Sequence, residues 1–158
     1  MMIRPGIWDQ REDIEAIAVD DTMGMIYYSS ESAGVLKYYA DPDHPNADSL
    51  LAHFGREEFK DDREGISIYS QTDTTGYIIV SDQGADRFHI YCREGTPENR
   101  DDHRLVKTVY LSTHESDGSD VTTEDFNGRF PGGLFVAMSN DRTFQFYAWD
   151  DIISAYGY

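Results

Sequence analysis

The sequence predicts an all-β fold of the β-propeller type, with about three four-stranded blades. Apolar residues come in short runs bounded by Gly, Asp, Asn and Pro, and helix signals are nearly absent. Three acidic segments recur at a spacing of about fifty residues. They are Asp13-Ile14-Glu15-Ala16-Ile17, Asp62-Arg63-Glu64-Gly65-Ile66 and Asp117-Gly118-Ser119-Asp120-Val121. Each opens a similar run of short, aromatic-rich strands. Propellers aim their inner strands and loops at one central channel, so acidic side chains remote in sequence would meet there.

The first repeat reads as strands over 14–19, 25–29, 35–39 and 49–54. Asp21-Thr22-Met23-Gly24 and Ser32-Ala33-Gly34 supply its first two turns. The second repeat follows strand for strand: 65–69, the turn Asp73-Thr74-Thr75-Gly76, then 77–81, 88–93 and 105–111. The third has a longer first connection over 122–129, followed by strands at 134–138 and 143–149. Little chain then remains for a fourth strand. Residues 2–8 precede the first acidic segment as 49–54 and 105–111 precede the other two. They read as an outermost strand that could complete a last blade. Propellers close with about four to eight blades, so three repeats need a complement. Two copies would supply a six-bladed ring, each lending its first strand to the partner's last blade. We read residues 1–158 as one domain.

The 158 residues include 11 Tyr and 8 Phe, enough aromatic surface for a packed core despite a formal net charge of -17. That charge repels nucleic acid and anionic membranes, and it repels phosphorylated molecules unless cations intervene. It is consistent with plain solubility and equally with cation binding. Cys92 is the single cysteine, which excludes an intrachain disulfide; within Phe88-His89-Ile90-Tyr91-Cys92 it reads as a small core residue. No stretch is long enough to cross a membrane as a helix, and Met1-Met2-Ile3-Arg4-Pro5 lacks the apolar core of a signal peptide. The five histidines show no zinc-ligand spacing. Neither a nucleophile elbow nor a Gly-rich phosphate loop is present. The aromatic runs Tyr27-Tyr28, Tyr38-Tyr39 and 144–149 read as packing between blades.

Asp62 and Glu64 are two apart, so on a strand their side chains share a face, with Arg63 on the other; Asp13 and Glu15 repeat the pattern. This spacing suits a shared cation site and equally a solvated strand start. Glu31 and Gln83 fall at equivalent points just after the second strands of their repeats, and Ser139-Asn140-Asp141 occupies that point in the third.

From about Asp13 onward the chain resembles the β-propeller phytases, specifically the C-terminal half of that family's domain. The segments carrying the resemblance run from Glu15 through Asp21, and include Tyr27-Tyr28-Ser29-Ser30-Glu31 and Asp62-Arg63-Glu64-Gly65-Ile66-Ser67-Ile68-Tyr69. They continue with Gly76-Tyr77-Ile78-Ile79-Val80-Ser81-Asp82-Gln83-Gly84, Asp117-Gly118, Pro131-Gly132-Gly133-Leu134-Phe135-Val136-Ala137 and Phe146-Tyr147-Ala148-Trp149. The resemblance implies a six-bladed ring and calcium-dependent removal of phosphate from phytate (myo-inositol hexakisphosphate) by a metal-activated water. By position it implies Glu15, Glu31, Asp62, Glu64 and Asp117 as calcium ligands, and Glu15, Glu64 and Gln83 as catalytic residues. It also implies a secreted or periplasmic location.

The family's signature segments of its N-terminal half, which carries most of the phosphate-holding Lys and Arg, do not occur here. Of the basic residues, Arg11, Lys37, Arg63 and Arg87 are candidates by position, but surface salt bridging is the plainer expectation for each. A non-catalytic calcium-binding or interaction half-propeller is therefore the alternative function. A calcium-dependent hydrolase acting on lactones is a more distant third.

Overall fold

The computed structural model describes residues 13–31, 33–60 and 62–155. Strands β1 (Ile14–Asp20), β2 (Met25–Ser30), β3 (Gly34–Tyr39) and β4 (Ala52–Phe54) form an antiparallel sheet in sequential order. Strands β5 (Arg63–Ser70), β6 (Gly76–Asp82), β7 (Arg87–Cys92) and β8 (Leu105–Tyr110) repeat that order. Strands β9 (Ser119–Thr122), β10 (Leu134–Ser139) and β11 (Thr143–Ala148) form a third sheet of three strands among the described residues. This is an all-β partial propeller, as the sequence predicts. The strand expected at 2–8 lies outside the described residues, as does Arg11.

Two boundaries differ from expectation. β4 begins at Ala52, because the residues before it are held in turns such as Ser49 N–H to the Asn46 carbonyl, 3.0 Å. β11 ends at Ala148, and the chain turns into a short helix, α1 (Trp149–Ser154). Trp149 leaves the sheet to stack on Tyr69, with ring centroids 4.2 Å apart and planes 14° apart. Asp150 and Asp151 suit the first turn of α1. Lys107 Nζ donates to the carbonyls of Ile152 at 3.2 Å and Ile153 at 2.8 Å, and also to that of Ala155, satisfying the helix end.

The sheets stack through two apolar layers. Between the first and second lie Tyr27, Val35 and Phe54 against Ile66, Ile78, Val80 and Tyr91. Between the second and third lie Ile79, Phe88, Ile90 and Val109 against Phe135, Ala137 and Trp149. Alternation along β6 explains the division: Ile78 and Val80 face one neighbour and Ile79 the other. The aromatic runs pack as expected at Tyr27 and Trp149, whereas Phe144 and Phe146 are exposed. Cys92 is half-buried, its Sγ donating to the Gly95 carbonyl at 3.2 Å.

The expectation that the basic candidates are surface salt-bridgers is corrected at two positions. Lys37 is buried, donating to Asp101 Oδ1 at 2.8 Å. Arg63 is buried with its guanidinium on backbone carbonyls. Both sit where adjacent blades meet and leave polar groups to satisfy. Arg87 is partly exposed and pairs with buried Asp82 at 2.7 Å.

Candidate metal centre

The inner strands β1, β5 and β9 lie side by side, with β5 in the middle. Gly65 makes the close approach of β5 and β9 feasible: a Cβ on it would lie 2.9 Å from Gly118 Cα and 2.9 Å from Ser119 N. Its N–H donates to the Asp117 carbonyl at 3.1 Å, and Ser67 Oγ meets Ser119 Oγ at 3.1 Å.

β1 and β5 are both irregular at the same point of the repeat. The register of β1 on β2 shifts between Ile14 and Ile17, and that of β5 on β6 between Arg63 and Ile66. Each bulge contains the repeat's glutamate, Glu15 or Glu64. Bulges re-aim side chains and recur beside active sites. The loop ends are tied alike: Glu31 N–H donates to the Asp13 carbonyl and Gln83 N–H to the Asp62 carbonyl, both at 3.2 Å. Each tie brings the residue after a middle strand against the acidic start of the inner strand.

Glu64 is half-buried, and its carboxyl is pushed up to about 7. Burial is the largest cause, followed by the negative charges of Glu15, Asp117, Asp62 and Glu31. The other four acidic residues that the resemblance implies as ligands thus all act on Glu64, from three blades. Gln83 joins them, its Nε2 donating to Asp117 Oδ1.

On the first blade, Asp13, Glu15 and Glu31 each offer one carboxylate oxygen, all within 4.8 Å of one another. Asp13 is absent from the calcium ligands that the resemblance implies, although its spacing to Glu15 was noted to match that of Asp62 to Glu64. An oxygen-only, multiply anionic donor set suits a hard cation such as calcium, which takes about six to eight oxygens.

Two features near this centre were not foreseen. The Arg63 guanidinium joins the second blade to the first, donating to the carbonyls of Gly55 at 2.9 Å, Glu31 at 2.8 Å and Arg56 at 3.0 Å. Asp82, next to Gln83, is fully buried and separate from the cluster. Burial alone would raise its carboxyl, but hydrogen bonds from His89, Arg87 and the Lys60 N–H hold it below its ordinary value. An Arg flanked by acids offers no sequence signal for carbonyl binding, and Asp82 reads like any strand-end aspartate.

Stacked antiparallel blades with carboxylates gathered at adjacent inner strands define a partial propeller with an acidic cluster. The phytase family model matches residues 8–154, and the chain belongs to that family. It is 24% identical over 153 residues to the 3-phytase of Bacillus subtilis (strain 168), an alignment covering 90% of this chain and 40% of that protein. The chain therefore spans about two fifths of the length of that curated relative.

Proposed function

We propose that this chain carries the acidic half of a calcium-dependent phosphomonoester hydrolase acting on phytate, active once its ring is completed. The observation that carries this reading is the raised carboxyl of Glu64 among Glu15, Glu31, Asp62 and Asp117, together with membership of the phytase family. Glu15, Glu31, Asp62, Glu64 and Asp117 would hold calcium, joined on the first blade by Asp13. Bound calcium would offset the mutual repulsion of these groups, attract anionic phosphate and acidify a water. In the metal-free chain the Glu64 carboxyl is pushed up to about 7; with calcium offsetting the neighbouring charges it would be ionised and able to take the proton of an attacking water. The water oxygen bonds to phosphorus as the phosphorus–inositol oxygen bond breaks, and the leaving alcohol takes a proton from solvent. Glu15 sets the charge beside that proton acceptor, and Gln83, tethered to Asp117, orients the water or a phosphate oxygen. Export to the cell exterior or periplasm accompanies this reading by family.

One observation favours a second reading, a calcium-binding or interaction module without turnover. Lys37, Arg63 and Arg93 are buried in internal pairings and do not present their charges to a phosphate. Phosphate release from phytate, measured with calcium and with a chelator, separates the two. Calcium-dependent release that is lost in Glu64→Gln supports hydrolysis. Tight calcium binding with no release, in a preparation shown to have a closed ring, supports the module.

A further inference from the structure

We propose that Asp86 is a positioning residue for the acidic centre: from the end of the turn that carries Gln83, it holds the chain ahead of Asp117 so that the Asp117 carboxylate meets the Gln83 amide. The argument begins with a missing brace. Val80 and Ala137 lie three residues before Gln83 and Asn140, and they pair with Ile66 on β5 and Ser119 on β9. Counting back from those pairs, Asp117 stands where Glu64 stands, and Ser116 where Arg63 stands. Arg63 ties the acidic start of β5 to the Glu31 carbonyl of the first blade. A serine lacks that reach and that charge, so other groups must hold the acidic start of the third blade.

The second blade supplies them. Ser81 Oγ donates to the Ser116 carbonyl at 2.7 Å in a buried hydrogen bond. One such point leaves the linker free to pivot. Asp86 adds two more: its Oδ1 accepts the Glu115 N–H at 2.8 Å, and its Oδ2 lies 3.2 Å from His114 Nδ1. Asp86 itself stands on a fixed frame. Its N–H donates to the Gln83 carbonyl at 3.1 Å, closing the turn Gln83–Ala85. The residues flanking that turn are joined by the Asp82–Arg87 ion pair at 2.7 Å. Within the turn, the Gln83 N–H donates to the Asp62 carbonyl and Gln83 Nε2 donates to Asp117 Oδ1. The turn therefore spans from Asp62 to Asp117, and Asp86 fixes the far side of that span.

The Asp86 backbone is left-handed, with φ 51°, a conformation that glycine and asparagine also adopt. Its side chain is 45% exposed, so replacing it disturbs no packed layer. Two variants then separate position from charge. Asp86→Gly removes both side-chain ties, whereas Asp86→Asn removes the charge and keeps an acceptor for the Glu115 N–H.

The inference rests on the reading of Asp117 as a calcium ligand, and the test keeps the two apart. Calorimetric titration of the 158-residue chain with calcium chloride should show Asp86→Gly binding about tenfold more weakly than wild type, and Asp86→Asn within about twofold of it. Thermal melting followed by circular dichroism verifies that both variants fold. In the metal-free chain, the Gly65 N–H reports on the linker, because it donates to the Asp117 carbonyl at 3.1 Å. Its hydrogen exchange should be about tenfold faster in Asp86→Gly. Wild-type calcium affinity in Asp86→Gly overturns the proposal. An equal loss in Asp86→Asn also overturns it, since the effect would then be one of charge alone. A wild-type chain that binds no calcium removes Asp117 as a ligand, and Gly65 exchange decides the rest: unaltered exchange in Asp86→Gly removes the positioning role, and faster exchange keeps it. Absence of phosphate release from phytate, with calcium affinity and exchange as expected, removes turnover and leaves the positioning role standing.

Discussion

Arg63 Nη1 donates to the Glu31 carbonyl at 2.8 Å, so a buried cation of the second blade holds the acidic loop of the first. The other guanidinium nitrogens bind the Gly55 and Arg56 carbonyls. Arg63→Met should destabilise the fold by about 2–4 kcal/mol, since three carbonyls, that of Gly55 in a buried hydrogen bond, lose charge-assisted donors. Arg63→Lys should recover only part of this, because an ammonium cannot serve three divergent acceptors in a plane. Urea unfolding measures both effects. Calcium titration should show weaker binding in each variant; an unchanged midpoint for Arg63→Met would disprove the bracing role.

Asp20 and Arg93 form a second inter-blade tie, with Nε to Oδ2 at 2.6 Å and Nη2 to Oδ1 at 2.7 Å, both side chains essentially buried. Arg93 also donates to the Thr72 and Thr75 carbonyls at 2.9 and 3.0 Å. Removing one partner strands a buried charge, so Asp20→Ala and Arg93→Met should each cost about 3–5 kcal/mol. The pair lies at the end of β1 remote from the bulge, so calcium affinity of the folded fraction should stay at the wild-type value. A double-mutant cycle should show strong coupling; additive single losses would mean that the two groups act independently.

Gly65 sets the distance between the second and third blades at the centre. The 2.9 Å approach to Gly118 and Ser119 leaves no room for a methyl group. Gly65→Ala should cost about 1–3 kcal/mol by overpacking and should separate Glu64 from Asp117. Calcium affinity and phosphate release should fall together, while circular dichroism of the strands is retained. A variant with wild-type stability would show that the blades part freely at this point.

What was legible in the sequence was local or periodic. Strands such as β2 and β6 announce themselves by apolar runs ending at Gly, Asp and Ser, and the repeat spacing of Asp62-Arg63-Glu64 against Asp13-Ile14-Glu15 brought remote acids to one centre. Long-range pairing was illegible. Asp20 and Arg93 are 73 positions apart, and nothing in either neighbourhood names the other. The bulges at Glu15 and Glu64 exist only relative to a partner strand's register. Helix α1 is too short to show a 3.6-residue period, and its capping by Lys107 comes from another blade. Phe144 and Phe146 read as packing between blades because an aromatic run does not say which of its side chains another element covers.

Glu64 makes the metal-free protein sensitive to pH in a direction opposite to ordinary acid denaturation. Its carboxyl rises from the usual 4.5 to about 7 on folding, through burial and then through Glu15, Asp117, Asp62 and Glu31. The folded state therefore binds this proton more tightly than the unfolded chain does. Its contribution is fully favourable below 4.5 and is lost as the pH rises through about 7. With a chelator present, thermal unfolding should shift to lower temperature between about pH 5 and pH 8. On the proposed function calcium would bind the ionised form, so it should restore stability at the upper end of that window, with affinity increasing as the proton leaves. Glu64→Gln should flatten the metal-free pH dependence and weaken calcium binding at pH values above about 7. A chelated protein that gains stability across this range would show that these carboxylates are solvated separately and do not share a field.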